Sequence, residues 1–167
     1  AKVKGWETSF WQISVKQMLS CTYSYDVIVI GGGIAGMCAA AAASRLGCKV
    51  ALINDRPVLG GNNSSEVRVH LGGNIGVGPN SGLGRMIREF GHSKEGNAKP
   101  AANYEDEKKE LFIANEKNIT LYANYRAISV KTDGNRIESV IIKHIENGKE
   151  VETRSIGISP LINKKEK

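Results

Sequence analysis

The chain of 167 residues is short of aromatic side chains, short of cysteine, and without a long apolar run, and each shortage narrows its function. Aromatic residues make up 6%, too few for a stacking platform that grips single-stranded nucleic acid. A net charge of +6 does not restore that reading. The lysines are scattered and gather at the end (Lys164, Lys165, Lys167), as in a solvated tail. Three cysteines (Cys21, Cys38, Cys48) cannot all pair with one another, and none stands in a Cys-x-x-Cys spacing. Cys38 and Cys48 read as small buried fillers. Met18-Leu19-Ser20-Cys21 faintly suggests a lipoprotein processing site, but Gln12, Ser14, Lys16 and Gln17 break the apolar stretch such a signal needs. No apolar run is long enough to span a bilayer. The compartment stays open, with the cytoplasm slightly favoured. The chain starts at Ala1 rather than methionine, so a missing natural N-terminus is one expectation. Residues 1–24 carry Trp6, Phe10 and Trp11 without clear periodicity and read as an extension with no assigned role.

Glycine is what the chain has in excess. Of its 19 glycines, 14 crowd into residues 31–36 and 60–96, which assigns them to loops around a ligand rather than to a low-complexity segment. The first cluster sits inside an organising stretch, residues 25–55. An apolar strand (25–30) runs into a glycine turn, an alanine-rich helix (34–46) and a second strand (49–53). Gly31, Gly33 and Gly36 have the Gly-x-Gly-x-x-Gly spacing of a dinucleotide-binding turn. Gly31 allows the tight turn, Gly33 allows the backbone to approach a diphosphate, and Gly36 allows the helix to lie against the strand. The helix start at Ile34 and Ala35 would aim free N–H groups and a positive dipole end at that diphosphate. At the end of the second strand, where a carboxylate usually accepts the ribose hydroxyls, the spacing places Asn54, with Asp55 next. A solvated Asn-Asp turn before Pro57 is the competing reading.

A second cluster follows: Arg56-Pro57-Val58-Leu59-Gly60-Gly61-Asn62-Asn63-Ser64-Ser65-Glu66. Gly60-Gly61 can bring backbone N–H groups against phosphate oxygens, and Arg56 could offset their charge. Residues 66–71 (EVRVHL) alternate and read as a short strand or extended segment, and residues 72–82 as a long loop. In this region His70 and His92 could act as an acid or base, though a surface or hydrogen-bonding role is the commoner one. Helices are expected at 83–90, with Leu83, Met86, Ile87 and Phe90 on one face, and at 104–115, with Leu111, Phe112 and Ala114 inward. The Glu105-Asp106-Glu107 run reads as helix-start charge rather than a metal site. A third parallel strand (118–123) then leads to three antiparallel strands (127–132, 136–145, 149–156). Asp133-Gly134-Asn135 and Glu146-Asn147-Gly148 join them as tight hairpin turns.

With the motifs at 25–36, 52–57 and 59–66 together, the chain resembles the N-terminal part of FAD-dependent oxidoreductases with a glutathione-reductase-type FAD domain. The resemblance covers about residues 25–155. It implies an α/β fold, a Rossmann-like doubly wound parallel sheet with an inserted antiparallel β-meander, within a partial FAD-binding domain at 25–158 followed by a polar tail at 159–167. It implies FAD as cofactor, with Arg56, Gly60 and Gly61 beside the pyrophosphate, Asn62 following in the same turn, and Ser64 at the family's hydroxyl position. Arg126 and Ala127, entering the meander, would meet the adenine. The family's Thr-Gly-Asp segment after the meander has no match here, which makes a truncated piece the expectation, with an open sheet edge as an aggregation liability. The function implied is flavin-mediated hydride transfer with a small-molecule substrate. A non-catalytic nucleotide-binding remnant and an NAD(P)-binding dehydrogenase domain are the alternatives. A plain NAD site needs no second glycine clamp, which favours FAD.

Overall fold

The computed structural model describes residues 23–72, 78, 81–91 and 96–155, with Ser81 and Leu83 as backbone only. The expectations for residues 1–22, for His92 and for the tail lie outside the described residues. The strand expected at 25–30 is two strands, β1 (Tyr23–Tyr25) and β2 (Val27–Ile30), parted at Asp26. After β2 come helix α1 (Ile34–Arg45) and β3 (Val50–Asn54). Helix α2 (Ser81–Phe90), a 3-10 turn (Ala101–Tyr104) and helix α3 (Asp106–Ala114) occupy the long connection to β4 (Ile119–Ala123). The chain ends in β5 (Tyr125–Asp133), β6 (Arg136–His144) and β7 (Glu150–Ser155).

Two sheets result. One is wholly parallel, in the order β2-β3-β4, with Val27 opposite Val50 and Val50 opposite Ile119. The other runs β1-β7-β6-β5, antiparallel except for the parallel pair β1–β7. The chain changes sheet twice, at Asp26 and at Asn124. Asp26 pins the first change, because its carboxylate accepts the Lys49 N–H (2.7 Å) while its own N–H bonds the Lys49 carbonyl (2.8 Å). Asn124 takes φ +61°, a left-handed conformation that asparagine tolerates better than most residues.

Because side chains alternate along a strand, the parallel sheet offers a different set to each side. Val50 and Leu52 pack with Met37, Ala40, Ala41, Leu59, Phe90, Phe112 and Ile113, so all three helices lie on that side. Ile53 faces the other way, with Ile28 and Tyr122 beside it, and meets Val140 and Ile142 of the meander. The sheet therefore has helices on one face and the meander on the other. Each large side chain fully buried in these clusters contributes about 1.5–3 kcal/mol. In the seam between the sheets the Tyr25 and Tyr122 hydroxyls share a hydrogen bond (2.8 Å). The ring of Tyr122 also meets that of Tyr125 edge-on. Burial, then the Tyr25 hydrogen bond, push the Tyr122 phenol well above its ordinary range.

Local chemistry explains the helix ends. After α1, Gly47 turns the chain at φ +91° and its N–H bonds the Ser44 carbonyl (2.9 Å), a glycine helix stop. Arg45 in the last turn suits the dipole and joins the helices, bonding Glu89 of α2 (2.6 and 2.9 Å) and Glu116 after α3 (2.7 Å). The inward face of α3 differs from the expected one. Leu111 is 61% exposed and Ala114 is also exposed, whereas Lys109, Phe112 and Ile113 are buried, at the i, i+3, i+4 spacing of one helical face. Residues 66–71 are not a strand. Arg68 takes φ +62° and its N–H returns to the Ser64 carbonyl (2.8 Å), which folds the segment back on itself.

Candidate functional site

The two glycine bends meet at the end of the parallel strands. β2 runs into Gly31, whose φ of +107° belongs to glycine and whose N–H bonds the Ile53 carbonyl (2.8 Å). The second bend is stitched to the first by the Gly60 N–H, which donates to the Gly32 carbonyl (2.8 Å), and Gly33 and Gly60 form a parallel bridge. Gly60 and Gly61 both have positive φ, +105° and +59°.

The reasons for glycine differ from place to place. A Cβ on Gly36 would lie 1.9 Å from the Gly31 carbonyl oxygen, so glycine there sets how closely α1 packs on the turn. A Cβ on Gly61 would come 3.1 Å from the Gly33 Cα, so glycine there lets the bends touch. Gly33 is the exception. It has ordinary extended backbone (φ −70°, ψ 175°), and among the described residues only the Gly61 Cα, at 3.9 Å, comes near the position that a Cβ would take. Nothing among the described residues requires glycine at 33. The room in front of it adjoins the start of α1.

That start is uncapped. Among the described residues no side chain bonds it, and its first turn holds no acidic residue. The first intrahelical bond runs from the Met37 N–H to the Gly33 carbonyl (2.9 Å), so the N–H groups of Ile34, Ala35 and Gly36 precede the ladder. An uncapped helix start beside a Cβ-sized space suits an anionic diphosphate.

Other expected site residues support the bends from behind. Asn54 is 6% exposed; its Oδ1 accepts the Gly32 N–H (3.3 Å) and its Nδ2 donates to the Arg56 and Val58 carbonyls (2.9 and 3.1 Å). Ser64 is fully buried, and its hydroxyl donates to the Gly61 carbonyl (2.7 Å). Both side chains shape the backbone around the turn. Asp55 and Arg126, 71 residues apart, meet as an ion pair (3.0 Å) at the end of β3, with the half-buried Ala127 next in β5. Arg56 reaches Glu66 (3.4 Å), and Asn62 is exposed, its carbonyl accepting the Val69 N–H (2.9 Å). His70 lies in the segment leaving the second bend, its N–H bonded to Asn97 Oδ1 (2.6 Å). Asp106 and Glu105 pair with Lys109 and Lys108, and no group of three His, Cys, Asp or Glu side chains suited to a metal occurs among the described residues. Sequence reasoning missed Gly32 and Lys109. A Cβ on Gly32 would strike Leu59 and Asn54 (2.6 and 2.7 Å), and the third glycine in a row at 31–33 was the available signal.

Residues 26–156 match the family model described as FAD dependent oxidoreductase. The chain belongs to this family. FAD is the cofactor that goes with it. The soluble pyridine nucleotide transhydrogenase of Azotobacter vinelandii is 40% identical over 68 residues, 41% of this chain and 13% of the relative. The chain thus spans a small part of the curated relatives it matches. Among solved structures, Mycobacterium smegmatis Sdh1 in complex with UQ1 has a TM-score of 0.53 at 15% identity, over 80% of this chain and 33% of that one. Thermovibrio ammonificans THI4 has a TM-score of 0.51 at 16% identity, over 86% of this chain and 58% of that one. These two likenesses establish the fold, a Rossmann-like parallel sheet with an antiparallel meander. No helix among the described residues is long and apolar enough to cross a membrane.

Proposed function

We propose that this chain is the FAD-binding portion of an oxidoreductase in which hydride passes between a small-molecule substrate and the flavin. The flavin supplies the redox chemistry, and the protein supplies binding and orientation. The N–H groups of Ile34, Ala35 and Gly36 hold the diphosphate on one side, with Gly33 giving it room. Gly60, Gly61 and Asn62 close the other side. The Asp55 carboxylate, partly exposed at the end of β3, is the acceptor for the adenosine ribose, because the Asn54 amide is occupied within the turn. Arg126 and Ala127 flank the adenine, and Arg56 is near enough to the second bend to offset phosphate charge. No side chain among the described residues is assigned the chemical step. The free thiols of Cys38 and Cys48 suit a reducing compartment such as the cytoplasm.

The observation that carries this reading is the pairing of the two bends through Gly60 N–H and Gly32 carbonyl around a space that Gly33 leaves open. A single dinucleotide turn would serve NAD; the second bend favours FAD. Titration of the purified chain with FAD and with NAD tests it. Flavin absorbance retained through gel filtration is expected, with stabilisation of about 2.7 kcal/mol at FAD one hundred times its Kd. Tighter binding of NAD than of FAD would replace this reading with an NAD(P)-binding domain.

A further inference from the structure

Lys109 is the one buried charged side chain among the described residues. It is 0% exposed, on the inward face of α3 beside Phe112 and Ile113. A buried ammonium is costly unless paired and hydrogen-bonded, so its surroundings define what it does. Its Nζ donates to the Tyr104 carbonyl and lies 3.5 Å from Asp106 Oδ1. The same Asp106 carboxylate accepts the Ser65 N–H at 3.1 and 3.2 Å, one contact to each oxygen. The stem of Lys109 lies against Gly60, where a Cβ would come within 2.8 Å of its Cδ and 3.0 Å of its Cε. Lys109 thus touches the second glycine bend directly at Gly60 and, through Asp106, at Ser65. Tyr104 adds a third tie, its hydroxyl donating to the Arg68 carbonyl (2.6 Å).

We propose that Lys109 is the positioning residue of the second glycine bend, its ammonium fixing residues 60–65 in the shape that receives the FAD diphosphate. This rests on the site reading above. The bend has no strand or helix of its own and two positive-φ glycines, so beyond its own Ser64–Gly61 hydrogen bond its shape depends on contacts from outside. Lys109, Asp106 and the Tyr104 carbonyl impose it from α3 and the turn before it. Burial lowers the lysine's affinity for its proton, and Asp106 and Glu105, the charged groups that act on it, offset part of that effect. The glycine bend itself presents no titratable group to the amine. With rising pH the ammonium is therefore lost below the ordinary lysine range, and the hold on the bend goes with it.

Lys109→Met keeps the length of the stem and removes the charge. In the full chain it is expected to bind FAD about tenfold more weakly at pH 8, the loss of roughly one charged hydrogen bond. The Ser65 amide is expected to exchange with deuterium about tenfold faster with no FAD present. The ratio of parent to variant affinity is expected to shrink as pH rises, since ionisation of FAD itself is common to both. Asp106→Asn, which keeps an acceptor but breaks the link to the lysine, is expected to shift both readouts in the same direction, and it stands in if Lys109→Met does not fold. Parent-like FAD affinity and parent-like Ser65 exchange in the variant would overturn the proposal. A parent chain that fails to bind FAD would overturn the site reading instead, while Ser65 exchange would still decide whether Lys109 holds the bend.

Discussion

Replacing Gly36 by alanine would place a Cβ 1.9 Å from the Gly31 carbonyl oxygen, a backbone atom that cannot swing aside. Carbon–oxygen contacts settle at roughly 3.3–3.6 Å, so α1 would have to retreat from the turn by about 1.4 Å or more. Overpacking of this kind costs about 1–3 kcal/mol. Alanine returns about 1 kcal/mol of helix propensity, so the net loss of stability is about 0–2 kcal/mol. Affinity responds more strongly. The retreat carries the Ile34, Ala35 and Gly36 N–H groups away from the diphosphate, and losing one charge-assisted bond costs about 1.5–3 kcal/mol, or roughly 10- to 150-fold in Kd. Urea unfolding without ligand and calorimetric titration with FAD measure the two effects separately. A variant that unfolds at the parent's urea midpoint and binds FAD with the parent's Kd would refute the close packing of α1 on the turn.

Tyr122→Phe removes the hydrogen bond to the Tyr25 hydroxyl and is expected to cost about 1 kcal/mol in urea unfolding at neutral pH. The Tyr122 phenol is held above its ordinary range in the fold, so its contribution is intact below the unfolded value of about 10 and is lost as pH rises beyond it. The parent should therefore lose stability above about pH 10 more steeply than Tyr122→Phe; equal slopes would contradict that environment. The Asp55–Arg126 pair is exposed at both ends, so a double-mutant cycle on stability should give a coupling of about 1 kcal/mol or less. For FAD affinity, Asp55→Ala is expected to cost more than Arg126→Ala, and the reverse order would remove Asp55 from the ribose.

The parts of this fold legible in the sequence are those set by neighbours in the chain. The spacing of Gly31, Gly33 and Gly36 marks a turn because strand, bend and helix follow one another directly within the βαβ unit. The hairpins at Gly134 and Gly148 adopt the positive φ their turn residues announce, +56° and +71°. What stayed hidden depends on distant partners. The break at Asp26 arises because β1 pairs with β7, more than a hundred residues later, while β2 pairs with β3. The alternation in residues 66–71 imitates a strand, but the backbone groups of Arg68 and Val69 bond Ser64 and Asn62 instead. Lys109 stands in a charged run, Glu107-Lys108-Lys109-Glu110, that gives no sign of burial. Its burial depends on the Tyr104 carbonyl and on the glycine bend that its stem covers, neither of which a helical pattern reveals. Asn54 and Ser64 show the same dependence on neighbours: a residue type suited to a ligand is equally suited to bracing the turn beside it, and both side chains bond that turn.

Gly33→Ala tests whether the space before Gly33 is kept for a diphosphate. The backbone at 33 accepts alanine, and among the described residues only the Gly61 Cα, at 3.9 Å, lies near the added methyl group, so the urea midpoint should match that of the parent. The methyl would occupy the place of the phosphate oxygens and cost two charge-assisted hydrogen bonds, on the order of a hundredfold or more in FAD affinity. Calorimetric titration of Gly33→Ala with FAD should therefore show binding lost from a chain of unchanged stability. Binding equal to that of the parent would mean that no diphosphate sits there.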